Sequence, residues 1–307
     1  MATWGLWYYK WNGSGYEVLS DWTDQKFDYI IVTDGGEGGT EGKTTKYSGP
    51  GYTNGYNDAG ELIEKIENQW LSGRNYIVEI PYFYVPPSGG KKARPQNYWL
   101  GWIDGAAAWG SSRLKGFYWS LENIRYIQAG ELSRYTIEAI WGRIMENRRE
   151  YGQNYQFIWI PSLRSLFVSR RFSSEQDVLE AVAYETDVPN IANYFNKVFI
   201  QPGYYFANKK IPNRENETKK ILLEHGIVYT YNLLVNILRS IHKFMPSNVS
   251  IEMEVDGDLN YQANWEYACD YVKAQRDALG YLWSDRAYYF DKRGNTFEEM
   301  KSRCPGW

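Results

Sequence analysis

Eight short β-type runs alternate with helical patterns from one end of the chain to the other, with no linker between them. The runs are Trp4 to Tyr9, Asp28 to Thr33, Tyr76 to Phe83, Leu114 to Leu121, Gln156 to Ile160, Lys197 to Gln201, Val249 to Val255 and Arg286 to Phe290. Strands separated by helices cannot pair as hairpins, so each crosses over and returns parallel to the one before. Between the runs, Leu62, Ile66 and Trp70 recur at helical spacing, as do Ile137, Ile140, Trp141 and Ile144. Ser174 and Asp177 have the spacing of a helix start. The stretch from Glu215 to Met245 reads as one long helical region. Eight such units predict an α/β fold, a single (β/α)8 TIM barrel over residues 1–307, a size that suits roughly 250 residues plus loops. Two βα connections, near 34–57 and 84–97, are long and rich in glycine or proline, as functional loops often are.

Several classes of function lose support. The net charge is −3, with both signs mixed, and no basic face for nucleic acid emerges. No apolar run reaches the roughly 18 residues of a membrane span. No strand-to-helix turn carries a glycine-rich nucleotide fingerprint, and no cofactor is called for. His225 and His242 both fall on helical patterns away from strand ends, against serine-hydrolase chemistry. Cys269 and Cys304 lie on predicted C-terminal helices, as two buried thiols or one disulfide, and no metal site assembles from this set. Sequons at Asn12, Asn216 and Asn248 lean toward an extracellular or cell-surface home, although no signal-peptide pattern is visible and a cytoplasmic one stays open.

Chemistry in a parallel barrel collects at the C-terminal ends of the strands. Glu122 follows the fourth run directly. In the seventh, Ile251, Met253 and Val255 alternate with Glu252, Glu254 and Asp256. Strand side chains alternate with period two, and helices cover the outside of a barrel, so the acids are expected to face inward. Carboxylates held together there are costly unless paired or used. Glycosidic hydrolysis needs one protonated and one ionised carboxyl group across the bond. Aromatic residues make up 18% of the chain, including 14 Trp and 28 Tyr, and ring faces pack well on sugar C–H surfaces. The expected substrate-binding lining is Trp7, Tyr9, Asp34, Tyr82, Trp119, Trp159, Arg164, Gln201, Tyr204, Tyr205, Asp256 and Tyr288, each at a strand end.

Acids after strands four and seven are the arrangement of the clan A retaining glycoside hydrolases, which this chain resembles distantly. Leu121 stands where that clan usually has Asn. A nearer resemblance is to a microbial barrel family, the domain of unknown function 4855. It rests on Gly116-Phe117-Tyr118-Trp119 with Glu122, on Trp159-Ile160-Pro161, on Gln201-Pro202-Gly203-Tyr204-Tyr205-Phe206 and on Glu252 to Asp256. Gly203 departs from the Asn expected there. The 4855 resemblance implies a carbohydrate-active surface or secreted protein. The clan A resemblance implies a retaining glycoside hydrolase with Glu122 as acid/base and a strand-seven Glu as nucleophile. Glu254 is expected in that role because it lies nearer the strand's C-terminal end, with Glu252 deeper and orienting it. The rival expectation is a barrel that binds carbohydrate or self-assembles at a cell surface without catalysis.

Overall fold

The computed structural model describes residues 2–22, 27–35, 45–86, 88–211, 215–257, 262–290 and 293–307. Its core is a closed parallel barrel of β1 (Thr3–Trp11), β2 (Tyr29–Asp34), β3 (Tyr76–Ile80), β4 (Leu114–Trp119), β5 (Gln156–Trp159), β6 (Lys197–Ile200), β7 (Val249–Glu254) and β8 (Arg286–Tyr289). β8 pairs with β1, Thr3 opposite Arg286, which closes the ring and leaves the barrel no open edge. The strands lie where the apolar runs predicted, because each buries both faces. A short antiparallel strand, Tyr16–Val18, adds to the end of β1 outside the ring.

The two faces of the barrel strands enter separate apolar clusters. Trp4, Leu6, Tyr8, Ile31, Ile77, Tyr118, Ile158, Phe199 and Ala287 fill the inside. Trp7, Ile30, Val78, Phe117, Trp119, Trp159, Ile251, Met253 and Tyr288 face the helices in the larger outer cluster. At the bottom of the barrel Trp4 packs on Tyr29 and Phe199, with ring centroids 5.5 and 4.9 Å away. The acids Glu79, Glu252 and Glu254 take inward positions above that aromatic plug, while Ser250 is an inward polar group beside it.

The surrounding helices include α1 (Tyr52–Lys65), α2 (Gln96–Trp109), α3 (Arg134–Tyr151), α4 (Glu175–Tyr184), α5 (Tyr204–Asn208), α6 (Tyr231–Phe244), α7 (Gln262–Leu279) and α8 (Gly294–Arg303). Ser174 caps α4 by accepting the Asp177 N–H at 3.2 Å, as the spacing predicts. The region from Glu215 to Met245 is two helices rather than one. Its first helix, Glu217–Glu224, stops at His225 and Gly226, whose positive φ of 82° breaks the helix before α6 begins. The 34–57 connection already enters α1 at Tyr52, and its residues 36–44 lie outside the described set. The 84–97 connection is a small hairpin, Phe83–Tyr84 against Lys92–Ala93, followed by α2. Cys269 and Cys304 are joined as a disulfide that ties α7 to the end of α8. Asn216 and Asn248 use their side-chain amides to hold backbone carbonyls, Phe206 and Lys209 for the first, Ala192 and Phe195 for the second. No helix among the described residues is long and apolar enough to cross a membrane.

Candidate active site

Glu122 is placed by a bulge and three backbone anchors. β4 shifts register against β3 between Tyr76 and Ile77, so Leu114 faces outward yet Tyr118 faces inward. Such a bulge re-aims the side chains after it. Gly116 permits the close β4–β5 approach there, since a Cβ would stand 2.0 Å from the Gln156 carbonyl at a φ of 152°. Beyond the strand, Ser120 donates to the Ile80 carbonyl, Trp159 donates to the Leu121 carbonyl, and Ser162 N–H donates to the Glu122 carbonyl at 2.7 Å. The backbone is fixed, while the Glu122 side chain opens to solvent in the mouth.

β7 delivers the other two acids on one face, as its period-two pattern predicts. Ile251, Met253 and Val255 enter the outer core, and Glu252 and Glu254 turn inward with 0% and 3% exposure. Glu254 is held by two donors, the Tyr271 hydroxyl from α7 and the Gly203 N–H at 2.7 Å. Gly203 adopts the left-handed conformation, φ 74°, that presents this N–H just before α5. Glu252 lies one inward position deeper, and neither of its oxygens meets a donor in hydrogen-bonding geometry. The Gln201 side chain is near enough to temper its charge without completing such a bond.

The three acids feel one another. Burial, then the charges of Glu254 and Glu122, pushes Glu252 well above the ordinary carboxylate range. Burial also pushes Glu254 up to about 7, against the Tyr271 and Gly203 donors that favour its ionised form. Glu122 is likewise pushed up to about 7 by the surrounding protein, with the Tyr118 hydroxyl and the charge of Lys91 working the other way. Because its own side chain is exposed, water in the mouth tempers that rise for Glu122 more than for Glu254. Tyr8 stands among the same acids, and burial followed by Tyr289, Glu252 and Glu122 raises its phenol.

A cleft of about 480 Å³ opens over these groups, lined by Asp34, Glu122, Arg164, Gln201, Glu252 and Glu254 among the expected residues. Tyr8, Gly203, Phe206, Tyr229 and Tyr289 line it too, and sequence reasoning missed them. Parity along β1 and β8 is the signal that finds two of these: Leu6 and Ala287 face inward, so Tyr8 and Tyr289 do as well. The same parity corrects most of the expected aromatic lining. Trp7, Trp119, Trp159 and Tyr288 are buried in the outer core, against Trp70, Trp99, Tyr126 and Phe297 respectively. Tyr82 stacks on Trp99 and meets Phe83 edge to face. Tyr204 and Tyr205 start α5 and turn away from the cleft to donate to Asp270 and Asp256. Asp256 lies past the end of β7, where Lys209 ion-pairs with it.

Tyr9 also faces outward, but its hydroxyl reaches Glu79, a fully buried acid on the inward face of β3. Glu79 accepts in addition from Thr33 Oγ1 at 2.8 Å, from the Asp34 N–H at 3.0 Å and from Thr45. It fixes the end of β2, and with it Asp34, at the mouth. The sequence marks it as the single acid within Tyr76-Ile77-Val78-Glu79-Ile80. Among the described residues, no group of His, Cys, Asp and Glu has the arrangement of a metal site.

No family model matches the sequence, so the resemblance to the 4855 family gains nothing there. The chain is 29% identical to an uncharacterised protein of Methanocaldococcus jannaschii, over 98% of this chain and 91% of that one. Among solved structures it is similar to a family GH18 chitinase from Chromobacterium violaceum, at a TM-score of 0.43 and 12% identity over 97% of this chain and 82% of that one. It is also similar to concanavalin B, at a TM-score of 0.41 and 11% identity over 97% of this chain and 95% of that one. Both likenesses are distant.

Proposed function

We propose that the chain is a glycoside hydrolase acting on an oligo- or polysaccharide by retaining double displacement. The observation that carries this is the contrast between two carboxyl groups on one cleft. Glu254 is buried and fixed by two donors that favour its charge. Glu122 opens to solvent on a fixed backbone with only a long contact, 3.5 Å, to the Tyr118 hydroxyl. A nucleophile needs the first environment and a proton-shuttling acid/base the second. Glu254 attacks the anomeric carbon, while Glu122 protonates the departing oxygen. In the second half Glu122 takes a proton from water, which attacks the same carbon and releases Glu254. Glu252, protonated beneath Glu254, keeps a second negative charge out of the cleft. Asp34, Gln201, Tyr8 and Tyr289 are placed to meet sugar hydroxyls and faces.

The test is a panel of neutral and acidic glycans incubated with wild type, Glu122→Gln and Glu254→Gln, with new reducing ends as the readout. The reading expects cleavage of at least one glycan and its loss in both variants with the fold intact. Glycan binding with no cleavage by wild type contradicts it and favours a carbohydrate-binding barrel.

A further inference from the structure

The cleft has two lobes, and Glu122 is where they meet. The first contains Glu252 and Glu254. The second, about 600 Å³, runs toward β3 and β4 and is lined by Phe83, Lys91, Tyr118, Glu131 and Val168. Asp34, Glu122 and Arg164 line both. In the hydrolytic reading, the sugar that bonds to the nucleophile occupies the first lobe. The acid stands beside the glycosidic oxygen that joins the two sugars, where the lobes meet, so the leaving group occupies the second.

Two cations face that second lobe. Lys91 is carried on the hairpin after β3, above the Phe83 ring at 5.3 Å. The hairpin is not a loose arm. Buried Arg94 clamps it through Phe83, Thr45 and Lys46 carbonyls and the Tyr98 hydroxyl. Arg164 starts the short helix Leu163–Phe167 after β5, and Ser162 accepts its N–H at 3.3 Å. Both side chains are exposed, and neither forms an ion pair among the described residues. The acid Glu131 in this lobe is instead engaged by the Asn123 amide. Lys91 also acts on Glu122 through its charge, and two exposed cations on one wall of a substrate cleft can take up an anion there, an Arg guanidinium fitting the two oxygens of a carboxylate, sulfate or phosphate.

Building on that hydrolytic reading, we propose that the glycan carries an anionic substituent on its leaving-group side, bound between Lys91 and Arg164. The site would thus select acidic over neutral saccharides in the second lobe.

Binding is measured calorimetrically with Glu122→Gln protein, which removes turnover. The probes are uronic-acid oligosaccharides, their methyl esters, and sulfated and phosphorylated counterparts, the last two separating carboxylate from other oxyanions. The acids are expected to bind roughly tenfold or more tightly than the esters, the scale of charge-assisted hydrogen bonds. That advantage should vanish when Lys91→Met and Arg164→Met are added, persist with Lys91→Arg, and shrink as salt rises to about 0.5 M. Equal binding of acid and ester, including no binding of either, overturns the proposal, as does an acid preference unchanged in the double substitution. An acid preference without cleavage by wild type removes hydrolysis but keeps the anion site. Cleavage without acid preference does the reverse.

Discussion

The outward and inward faces of the barrel strands treat their side chains in opposite ways. Outward, rings interlock and several find partners: Trp7 donates to the Trp22 carbonyl and Trp159 to the Leu121 carbonyl, and Trp102 of α2 donates to the Glu79 carbonyl, although the Trp119 indole N–H has none. Inward, above the Trp4 plug, carboxyl groups are buried close enough to repel, and Glu252 has no donor in full hydrogen-bonding geometry, only the Gln201 side chain nearby. The outer face spends its chemistry on stability. The inner mouth holds an arrangement that folding alone would not favour, which is what a reactive site requires.

Substitutions on the two faces should therefore separate activity from stability. The largest effect is expected for Glu122→Gln or Glu254→Gln, a fall of about 10² to 10⁴ in turnover from loss of the acid/base or nucleophile, with the melting temperature held. Steady-state kinetics beside thermal melts read both numbers, and a variant that loses its fold instead breaks the comparison. On the outer face, Trp159→Ala is expected to cost about 3–5 kcal/mol of stability, since it empties a site packed by Tyr126 and Phe195. Denaturant unfolding measures it; activity per folded molecule should fall as well, because Trp159 also anchors the Leu121 carbonyl beside Glu122, but by less than in the acid variants.

A smaller effect sharpens the contrast from the opposite direction. Glu252→Gln should stabilise the protein at alkaline pH and do little near pH 4. The sign follows from linkage: Glu252 holds its proton in the folded chain well above the ordinary range, while the unfolded chain releases it there. The folded state then binds more protons, so stability falls as pH rises above that range, and the amide removes the loss. Unfolding midpoints across pH 4–9 check it, and parallel curves for the two proteins would rule it out. The smallest expected effect is that of Tyr271→Phe. It removes one donor to the ionised form of Glu254, so the acidic limb of the pH–rate profile should move to higher pH. With Glu254 pushed up to about 7 and Glu122 raised but tempered by water, the wild-type optimum is expected at or just below neutrality, each limb belonging to the pair rather than to one residue.

Much of this was legible in the sequence where a single period governs the outcome. The βα alternation yields the barrel, and the Ile251-Glu252-Met253-Glu254 pattern places two inward acids correctly. The expected ring lining went astray because a strand end does not say which face a residue takes. Trp7 and Tyr9 are expected to end β1, but the strand runs on to Trp11, and Leu6 and Tyr8 hold its inner face. The β4 bulge and the left-handed turn at Gly203 are set by long-range packing, so no local pattern reveals how Glu122 and Glu254 are aimed. The Lys91 hairpin likewise depends on Arg94 reaching residues nearly fifty positions away.

The central claim is that Glu254 forms the covalent bond while Glu122 serves the departing oxygen. Trapping tests it most directly: Glu122→Gln protein is incubated with a panel of 2-deoxy-2-fluoro glycosyl fluorides, followed by intact mass and peptide fragmentation. The account predicts a single glycosyl adduct on Glu254. An adduct on Glu252 or on any other residue, or no adduct from a glycan series that wild type cleaves, would contradict it.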